Sequence, residues 1–323
     1  MFTRRFFLKS LSAAAAMLPF TAVARPESPE IASETRLMMG TFVTVLISGV
    51  SDTHAAEASG RAFARMADLE QTLTRFSSSS PLGQLNSAGR LRDVPQEFLT
   101  VIRAAARMHQ VTSGAFDPTV LPLLSVLEEN PEAPDARQLS AAVELVGMEH
   151  VRMGKNGVCF ERSGMMLSLD GIAKGYIADE GARVLLASGV NNFLINAGGD
   201  IVAHGSKNGL SWRVAVENPE KYEGLCEYPA VLLLRDQAVA TSGSYENVLN
   251  RAGTLNHILN PATGRCASLP GVSVTAASAL EADALATALC VMHDPVGFTD
   301  GLPGTACLVT LKGGATCRSS RWV

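Results

Sequence analysis

The sequence predicts a mixed α/β fold in which a largely antiparallel sheet is flanked by helices. From Val158 onward, short β-branched runs alternate with glycine-containing turns, a pattern that is typical of strands. Several of these runs follow one another with no helical segment between them, whereas consecutive parallel strands would need a crossover. Helical spacing returns only at residues 172–188 and 279–292. We therefore expect most neighbouring strands to be antiparallel.

The first half of the chain supplies one strand and two helices, in that order. Residues 42–47 are apolar and β-branched, and they predict a strand. Residues 55–73 carry apolar side chains at helical spacing, and residues 95–111 form a second helical pattern that opens with a proline. The serine-rich segment 76–81 between these helices predicts a loop.

The second half supplies the remaining predicted strands. Each is a short apolar run, and glycines punctuate the sequence between the runs. The helix predicted at 172–188 and the helix predicted at 279–292 interrupt the series. The predicted strands are residues 166–169, 193–196, 212–216, 231–234, 239–241 and 272–275.

The first 24 residues have the pattern of an export signal. Arg4 and Arg5 precede an alanine-rich apolar run, and a small-x-small cleavage site ends at Ala24. The apolar run is shorter than the roughly 20 residues that span a bilayer. We therefore predict a cleaved twin-arginine signal peptide at 1–24, a polar leader at 25–35 and one domain at 36–323. A paired arginine also suits the general secretory route, so the choice of route stays open here.

The composition excludes several classes of protein. The chain has 323 residues, 47% of them hydrophobic, which is enough to bury an ordinary core. A formal net charge of −4, which becomes −7 once the signal peptide is removed, gives no basic footprint for nucleic acid. No later segment approaches the length of a transmembrane helix, so we expect a mature chain without a membrane span, located in the periplasm.

Six cysteines face that oxidising compartment without any C-x-x-C spacing. They are too few for a disulfide framework in a chain of this length. The sequence predicts that most are small buried hydrophobes, and it leaves one or two disulfides open.

The segment 278–289 is the strongest local signal for chemistry. Ser278 and Glu281 form a capping box, which fixes a helix start and places Asp283 and Thr287 one turn apart on one face. A carboxylate and a hydroxyl in that arrangement are hard oxygen ligands of the kind that Mg²⁺ or Ca²⁺ prefers. The alternative is a solvated Asp283 and a Thr287 that hydrogen-bonds within its own helix.

A strand-to-helix turn at 167–176 is the second signal. Asp170 could cap the helix, Gly171 and Gly175 would permit a close backbone approach, and Lys174 places a cation in the first turn. Because that cation opposes the helix dipole, it needs an anionic partner, which a phosphate could supply. The alternative is a capped helix with a solvated lysine.

Three further segments carry candidate functional residues. His257 is predicted at a strand end that feeds an Asn-Pro-x-x-Gly turn, where it could act as a base or be purely structural. The segment 114–120 ends a helix with an aromatic ring and a carboxylate. The segments 196–201 and 240–246 are a glycine turn and a polar loop.

Seven motifs, taken in order, resemble the ApbE family of FAD:protein FMN transferases. The resemblance extends from Met39 to about Met292, and the ordered set is specific although each motif alone is not. The motifs are Met39-Gly40-Thr41, the Ser113 to Thr119 segment, the Asp170 to Tyr176 turn, the Asn196 to Asp200 turn, the Thr241 to Glu246 loop, the His257 to Gly264 turn and the Glu281 to Thr287 helix.

The resemblance implies an exported, Mg²⁺-dependent enzyme that transfers FMN from FAD to a Ser or Thr of an acceptor flavoprotein. It also implies that His257 is catalytic and that Asp283 and Thr287 hold the metal, with carbonyl oxygens near Gly171 and Ala286. Ser168 and Asp170 stand where the family often has Asp and Gly, and Asn260 replaces a common Asp. The implied FAD-binding residues are Met39, Phe76, Ala115, Phe116, Asp117, Ser168, Lys174 and Leu259.

Two other functions compete with transfer at this point. In an FAD pyrophosphatase, water would replace the acceptor hydroxyl and release FMN and AMP. A non-catalytic flavin-binding or delivery protein would need no base or metal. The resemblance also implies that the acceptors are flavin subunits of membrane redox complexes.

Overall fold

The computed structural model describes residues 31–154, 157–219 and 228–322. The predicted signal peptide and Cys226 lie outside these residues. The described part contains eight α-helices, besides two single turns of 3-10 helix. The helices are α1 (Asp52–Leu73), α2 (Pro81–Ala88), α3 (Gln96–Val111), α4 (Leu121–Glu129), α5 (Ala136–Val143), α6 (Ala173–Ala187), α7 (Ala279–Leu289) and α8 (Pro295–Asp300).

Thirteen strands of the described residues form three sheets, and every pairing is antiparallel. The largest sheet has eight strands in the order β1-β2-β6-β7-β10-β11-β12-β13, and the smaller sheets are β3-β5-β4 and β8-β9. The strands are β1 (Ala32–Met38), β2 (Thr41–Ile47), β3 (Arg90–Leu91), β4 (Val151–Gly154), β5 (Gly157–Phe160), β6 (Phe193–Ala197), β7 (Asp200–His204), β8 (Trp212–Ala215), β9 (Val231–Leu234), β10 (Gln237–Ser242), β11 (Gly271–Ala276), β12 (Ala306–Thr310) and β13 (Thr316–Arg318). This architecture confirms the predicted fold class.

The eight-stranded sheet is buried on both faces. Successive side chains of a strand point to opposite faces, so Phe193 and Ile195 pack in the main core while Leu194 between them packs in a second core. The helices α1, α6 and α7 belong to the main core. The ribbon β8-β9 belongs to the second, with Trp212 and Trp322 among its buried side chains. The sheet is therefore the middle layer of the molecule.

Helices α1, α6 and α7 pack together on the main-core side, where α6 carries Lys174 and α7 carries Asp283 and Thr287. Gly181 of α6 lets Met66 of α1 approach, because a Cβ there would lie 2.9 Å from the Met66 sulfur. Ser278 caps α7 by accepting a hydrogen bond from the Glu281 backbone N–H at 3.3 Å, as the capping-box pattern predicts. The Asp179 carboxylate of α6 accepts from the Ala279 and Leu280 N–H groups at 2.9 Å each, which fixes the start of α7 against α6.

The structure departs from the sequence predictions at several elements. Residues 166–169 form no strand, because the side chain of Asn86 hydrogen-bonds to both the backbone N–H and the carbonyl of Leu167, at 2.7 and 2.8 Å. Residues 32–35, assigned to the leader, belong to strand β1. Helix α7 ends at Leu289 rather than at 292. The elements that the sequence analysis did not predict include α2, α4, α5, α8, β4, β5, β12 and β13.

The five described cysteines are all unpaired thiols. Cys290 and Cys307 are buried, but Cys266 and Cys317 are partly exposed and Cys159 is exposed. The prediction that most of the cysteines are buried is therefore not confirmed among the described residues. No helix in the described ranges has both the length and the apolar character needed to cross a bilayer.

Candidate active site

The turn that leads into α6 is held by charge rather than by a capping carboxylate. No side chain caps α6, whose N-cap residue is Ile172. The Asp170 carboxylate instead accepts a hydrogen bond from the Arg75 guanidinium at 2.7 Å. The predicted capping role of Asp170 is therefore wrong, because a cation at the end of α1 takes this carboxylate.

Two glycines in this turn permit the close approach that the sequence predicts. A Cβ on Gly171 would lie 2.9 Å from the Thr287 hydroxyl oxygen, and one on Gly175 would lie 2.2 Å from the Ala279 carbonyl oxygen. The Gly175 backbone N–H donates to the Asp283 carboxylate at 3.1 Å. The start of α6 and the first turns of α7 are thus in direct backbone contact.

Lys174 finds its anionic partner in the protein itself. Its ammonium donates to the Asp200 carboxylate at 2.7 Å. Burial acts to lower the pKa of Lys174, but attraction from Asp200 and Asp283 outweighs it and raises that pKa. Because the lysine is fixed and charged, the solvated alternative is wrong. Its side chain is still 30% exposed, which leaves it accessible to a second anion such as a phosphate.

The Asp200 carboxylate is almost completely buried, with 1% of its surface exposed. One oxygen accepts from Lys174, and the other has no hydrogen-bond partner among the described residues. A buried acceptor without a partner costs free energy unless something satisfies it. This oxygen is consistent with a site that receives a further cationic or hydrogen-bonding group.

Asp283 is buried on α7, with 3% of its surface exposed, so the solvated alternative for this residue is wrong. Burial and repulsion from Asp200 and Glu246 raise its pKa well above the ordinary value, against the attraction of Lys174. One turn later, the Thr287 hydroxyl lies 3.3 Å from the Ser242 hydroxyl. A carboxylate and two hydroxyls therefore converge at this point.

These residues fit a small hard cation. When ionised, Asp200, Asp283 and Glu246 carry more negative charge than Lys174 offsets, and a bound cation would relieve the repulsion that raises the pKa of Asp283. Within the described ranges, no three His, Cys, Asp or Glu side chains are grouped to hold a metal by themselves. The donors would therefore be the Asp283 carboxylate, the Thr287 hydroxyl and carbonyl oxygens such as those predicted near Gly171 and Ala286.

His257 lies in a bend between two isolated bridges, Val248 to Asn256 and Leu259 to Cys266, rather than at the end of a strand as predicted. Its Nδ1 atom is buried and has no hydrogen-bond partner among the described residues. Burial lowers the pKa of the imidazole, and the positive charges of Lys174 and Arg75 lower it further. The imidazole of His257 is therefore a base that is neutral near neutral pH, and its pKa depends on the charges of Lys174 and Arg75.

Asparagine side chains fix the backbone on both sides of His257. Asn256 is buried, donates to the Ala267 carbonyl at 3.0 Å and accepts from the Ile258 N–H at 3.1 Å. Asn260 accepts from the Ala262 and Thr263 N–H groups at 3.1 Å each, which confirms the predicted Asn-Pro turn. The loop that carries the histidine is thus held in one conformation.

The residues predicted to bind FAD fall into exposed and buried groups. Phe76 is 78% exposed. The guanidinium carbon of Arg75 lies over its ring, 4.3 Å from the ring centre. Met39 is half-buried and has a φ of 53°, and its N–H donates to Glu70 at 2.7 Å. Ala115 is also half-buried. These three residues present surface that a ligand could contact.

The other predicted FAD-binding side chains are buried. Phe116 and Leu259 lie in apolar clusters with 4% and 5% exposure. The Asp117 carboxylate accepts from the Thr119 N–H at 2.8 Å and from the Met148 N–H at 3.2 Å, which gives it a structural role. Ser168 joins this region to the site, because its N–H donates to the Pro118 carbonyl at 2.7 Å. That these four residues contact FAD stays a prediction from the family resemblance.

Four residues of the cluster received no role in the sequence analysis: Arg75, Asp200, Ser242 and Glu246. Burial and repulsion from Asp200 and Glu217 raise the pKa of Glu246 to about 7, against the attraction of Lys174. Asp200 and Glu246 belong to motifs that the sequence singled out, the glycine turn and the polar loop. Their acidity was visible, but their position beside Lys174 was not.

Comparison with known proteins gives a consistent result. A model of the ApbE family matches residues 39–299. An FAD:protein FMN transferase of Vibrio cholerae is 31% identical over 242 residues, 72% of each chain, and one of Klebsiella pneumoniae is 29% identical over 269 residues, 79% of this chain and 76% of the other. A crystal structure of the ApbE protein from Thermotoga maritima aligns with a TM-score of 0.81 at 29% identity, covering 90% of this chain and 97% of that one.

Proposed function

The chain belongs to the ApbE family, and from that premise we propose that it transfers FMN from FAD to a Ser or Thr hydroxyl of an acceptor flavoprotein, releasing AMP in a Mg²⁺-dependent reaction. The family membership confirms the resemblance read from the seven motifs, and with it the assignment as an FAD:protein FMN transferase. The observation that carries the finer proposal is that Asp283 and Thr287 pack against the turn that leads into α6 beside Lys174. The charge of Lys174 also acts on the imidazole of His257.

The reaction exchanges the phosphoanhydride bond of FAD for a phosphoester bond to the acceptor hydroxyl, which leaves FMN linked through a phosphodiester. The acceptor oxygen attacks the phosphorus of the FMN half of FAD, and the bond from that phosphorus to the bridging oxygen breaks. The hydroxyl proton passes to an imidazole nitrogen of His257. AMP leaves as a phosphate, which needs little protonation near neutral pH.

Lys174 would hold the pyrophosphate of FAD. Its ammonium keeps its charge because Asp200 and Asp283 stabilise the cation, and 30% of the side chain is exposed toward a ligand. The Asp200 carboxylate fixes the ammonium at 2.7 Å, so little rotamer freedom remains to be lost when the substrate binds. Positioning of this kind is the main contribution that a protein makes to phosphoryl transfer.

Asp283 and Thr287 would hold Mg²⁺, with the carbonyl oxygens near Gly171 and Ala286. When bound, the ion supplies positive charge that offsets the negative charge developing on the pyrophosphate oxygens. The chain's own contribution is to keep the Asp283 carboxylate oriented, through the Gly175 N–H at 3.1 Å.

Product analysis tests the proposed reaction. The mature protein is incubated with FAD, Mg²⁺ and a candidate acceptor, and flavin fluorescence is read in a denaturing gel alongside AMP release. We expect fluorescence that stays with the acceptor and AMP in equal amount. Free FMN in place of bound FMN would make the enzyme a pyrophosphatase, and absence of AMP would leave only flavin binding.

A matched pair of variants on α7 tests the metal site. Asp283→Asn keeps an oxygen that can accept from Gly175 but removes the charge, so AMP release should fall to the level seen with EDTA. Glu281→Gln loses a charge on the same helix, two residues earlier, and should retain activity. Equal activity in both variants, with EDTA also without effect, would contradict the metal assignment.

We also propose that the protein acts in the periplasm on flavin subunits of membrane redox complexes. The support is the export pattern of residues 1–24 together with the kind of acceptor that the family resemblance implies.

A further inference from the structure

A second pocket lies between helices α3 and α6, at the start of α7. It has a volume of about 460 Å³, in the range of small-molecule sites. Its lining comes from one face of each helix, since Arg103 and Arg107 are four residues apart on α3 and Tyr176 and Asp179 are three apart on α6. None of its lining residues belongs to the candidate active site.

Three arginines line this pocket, although the whole chain has a net negative charge. Arg103 and Arg107 are exposed, and neither makes an ion pair or side-chain hydrogen bond among the described residues. Like charges four apart on a helix repel each other, so this pair destabilises α3 slightly unless an anion lies between them. Arg183 reaches the pocket from α6 and pairs with Glu180.

The other charged side chains beside these two arginines already have partners. Arg65, which also lies near α3, is neutralised by Glu97 at 3.2 Å and by Glu180 at 2.9 Å. The acid that lines the pocket, Asp179, has both carboxylate oxygens engaged, because they accept from the Ala279 and Leu280 N–H groups at 2.9 Å each. The negative charge of Asp179 therefore acts on the first N–H groups of α7.

Tyr176 adds a hydrogen-bonding group to the lining. Burial raises its pKa, so its hydroxyl stays protonated near neutral pH and can donate. Guanidinium groups bind phosphate oxygens through paired hydrogen bonds, and two or three of them around one pocket match a ligand with several phosphate oxygens.

We propose that this pocket binds a small molecule bearing phosphate groups, at a site separate from the flavin site. Arg103 and Arg107 supply the unpaired positive charge, and Arg183 and Tyr176 complete the lining. The shared chemistry is a di- or polyphosphate, which could be free or part of a nucleotide.

Calorimetric titration of the mature protein with inorganic pyrophosphate tests the proposal. The buffer has low ionic strength and contains EDTA, because salt screens such contacts and a metal would favour the other site. The double variant Arg103→Gln/Arg107→Gln should bind pyrophosphate at least about tenfold more weakly than the wild type. The control Arg61→Gln/Arg213→Gln loses the same charge from exposed positions elsewhere and should bind like the wild type.

One further measurement separates the two possible sources of the phosphate groups. A parallel titration with ADP that is tighter than pyrophosphate would identify a nucleotide, and an equal affinity would identify the phosphates alone as the ligand. Either result supports the proposal. Pyrophosphate binding that the Arg103→Gln/Arg107→Gln variant retains, which would place the phosphate at another site such as Lys174, or no binding of either probe would overturn it.

Discussion

At the scale of single residues, the candidate site is governed by buried charge. Transferring Lys174, Asp200 and Asp283 out of water is unfavourable, and the arrangement persists because the opposite charges satisfy each other. Lys174 faces the two buried carboxylates of Asp200 and Asp283, so the three ionised groups together carry one net negative charge. That excess is what makes the site suited to a cation together with a substrate phosphate.

His257 provides the sharpest test of mechanism. Replacing it with Asn removes the base but keeps a polar side chain, so kcat should fall by about 10² to 10⁴-fold while FAD affinity stays within about twofold. Single-turnover FMN transfer gives the rate, and flavin-fluorescence titration gives the affinity. Weak FAD binding combined with a wild-type rate at saturation would make His257 a binding residue instead.

The pH dependence of transfer follows from the lowered pKa of the same imidazole. The neutral form is the base, so activity should be lost only as the pH falls through the folded-state pKa, which lies below 6.5. We expect the acidic limb of kcat/KM to have its midpoint below 6.5. Because Glu246 has a pKa of about 7, the profile is measured in Glu246→Gln as well. A midpoint above 6.5 in that variant would contradict the assignment of His257.

At the scale of elements, the site depends on how closely α6 and α7 pack. The Gly175 N–H reaches Asp283, and the Asp179 carboxylate binds the first N–H groups of α7. These contacts set the position of Asp283 relative to Lys174. The geometry of the metal site is therefore a property of the helix pair and not of either helix alone.

A pair of glycine-to-alanine variants tests this packing. At Gly175 the new Cβ would lie 2.2 Å from the Ala279 carbonyl oxygen, so α6 and α7 must separate, at a cost of about 1–3 kcal/mol or more. We expect Tm to drop by several degrees and transfer activity to fall. At Gly60 in α1 nothing lies within 4 Å, and alanine should leave stability unchanged or raise it by about 0.5–1 kcal/mol. Equal melting curves for the two variants would show that this contact does not constrain the helices.

At the scale of the whole molecule, the eight-stranded sheet places distant segments of the chain next to one another. Strands β6 and β7 are joined by the Gly198-Gly199 turn, and Asp200 at the start of β7 reaches Lys174. Strand β10, which pairs with β7, ends at Ser242 beside Thr287 of α7. The sheet thus places Asp200 beside Lys174 of α6 and Ser242 beside Thr287 of α7.

Export is predicted for the full-length chain and is tested on it. Replacing Arg4 and Arg5 with Lys should leave the precursor in the cytoplasm, because the twin-arginine route requires the paired arginines. Cell fractionation and the N-terminal sequence of the periplasmic protein provide the measurement, with a start near Arg25 expected for the wild type. Normal export of the variant would indicate the general secretory route.

Local patterns in the sequence determined a substantial part of this protein. The capping box predicted the start of α7, and the spacing of apolar residues predicted α1, α3 and α6 close to their observed bounds. The glycines at 171 and 175 indicated a close approach that the structure contains. Such features depend on residues only a few positions apart, so the sequence displays them directly.

Tertiary structure alone decided which charged residues become partners. Lys174 pairs with Asp200, 26 residues away, and Asp170 pairs with Arg75, 95 residues away. Segment 166–169, which the sequence predicts as a strand, likewise hydrogen-bonds to Asn86 instead of joining a sheet. A side chain satisfies its charge with whatever the fold brings nearest. The order of strands and the packing of α6 on α7 set that neighbour, and no local pattern encodes them.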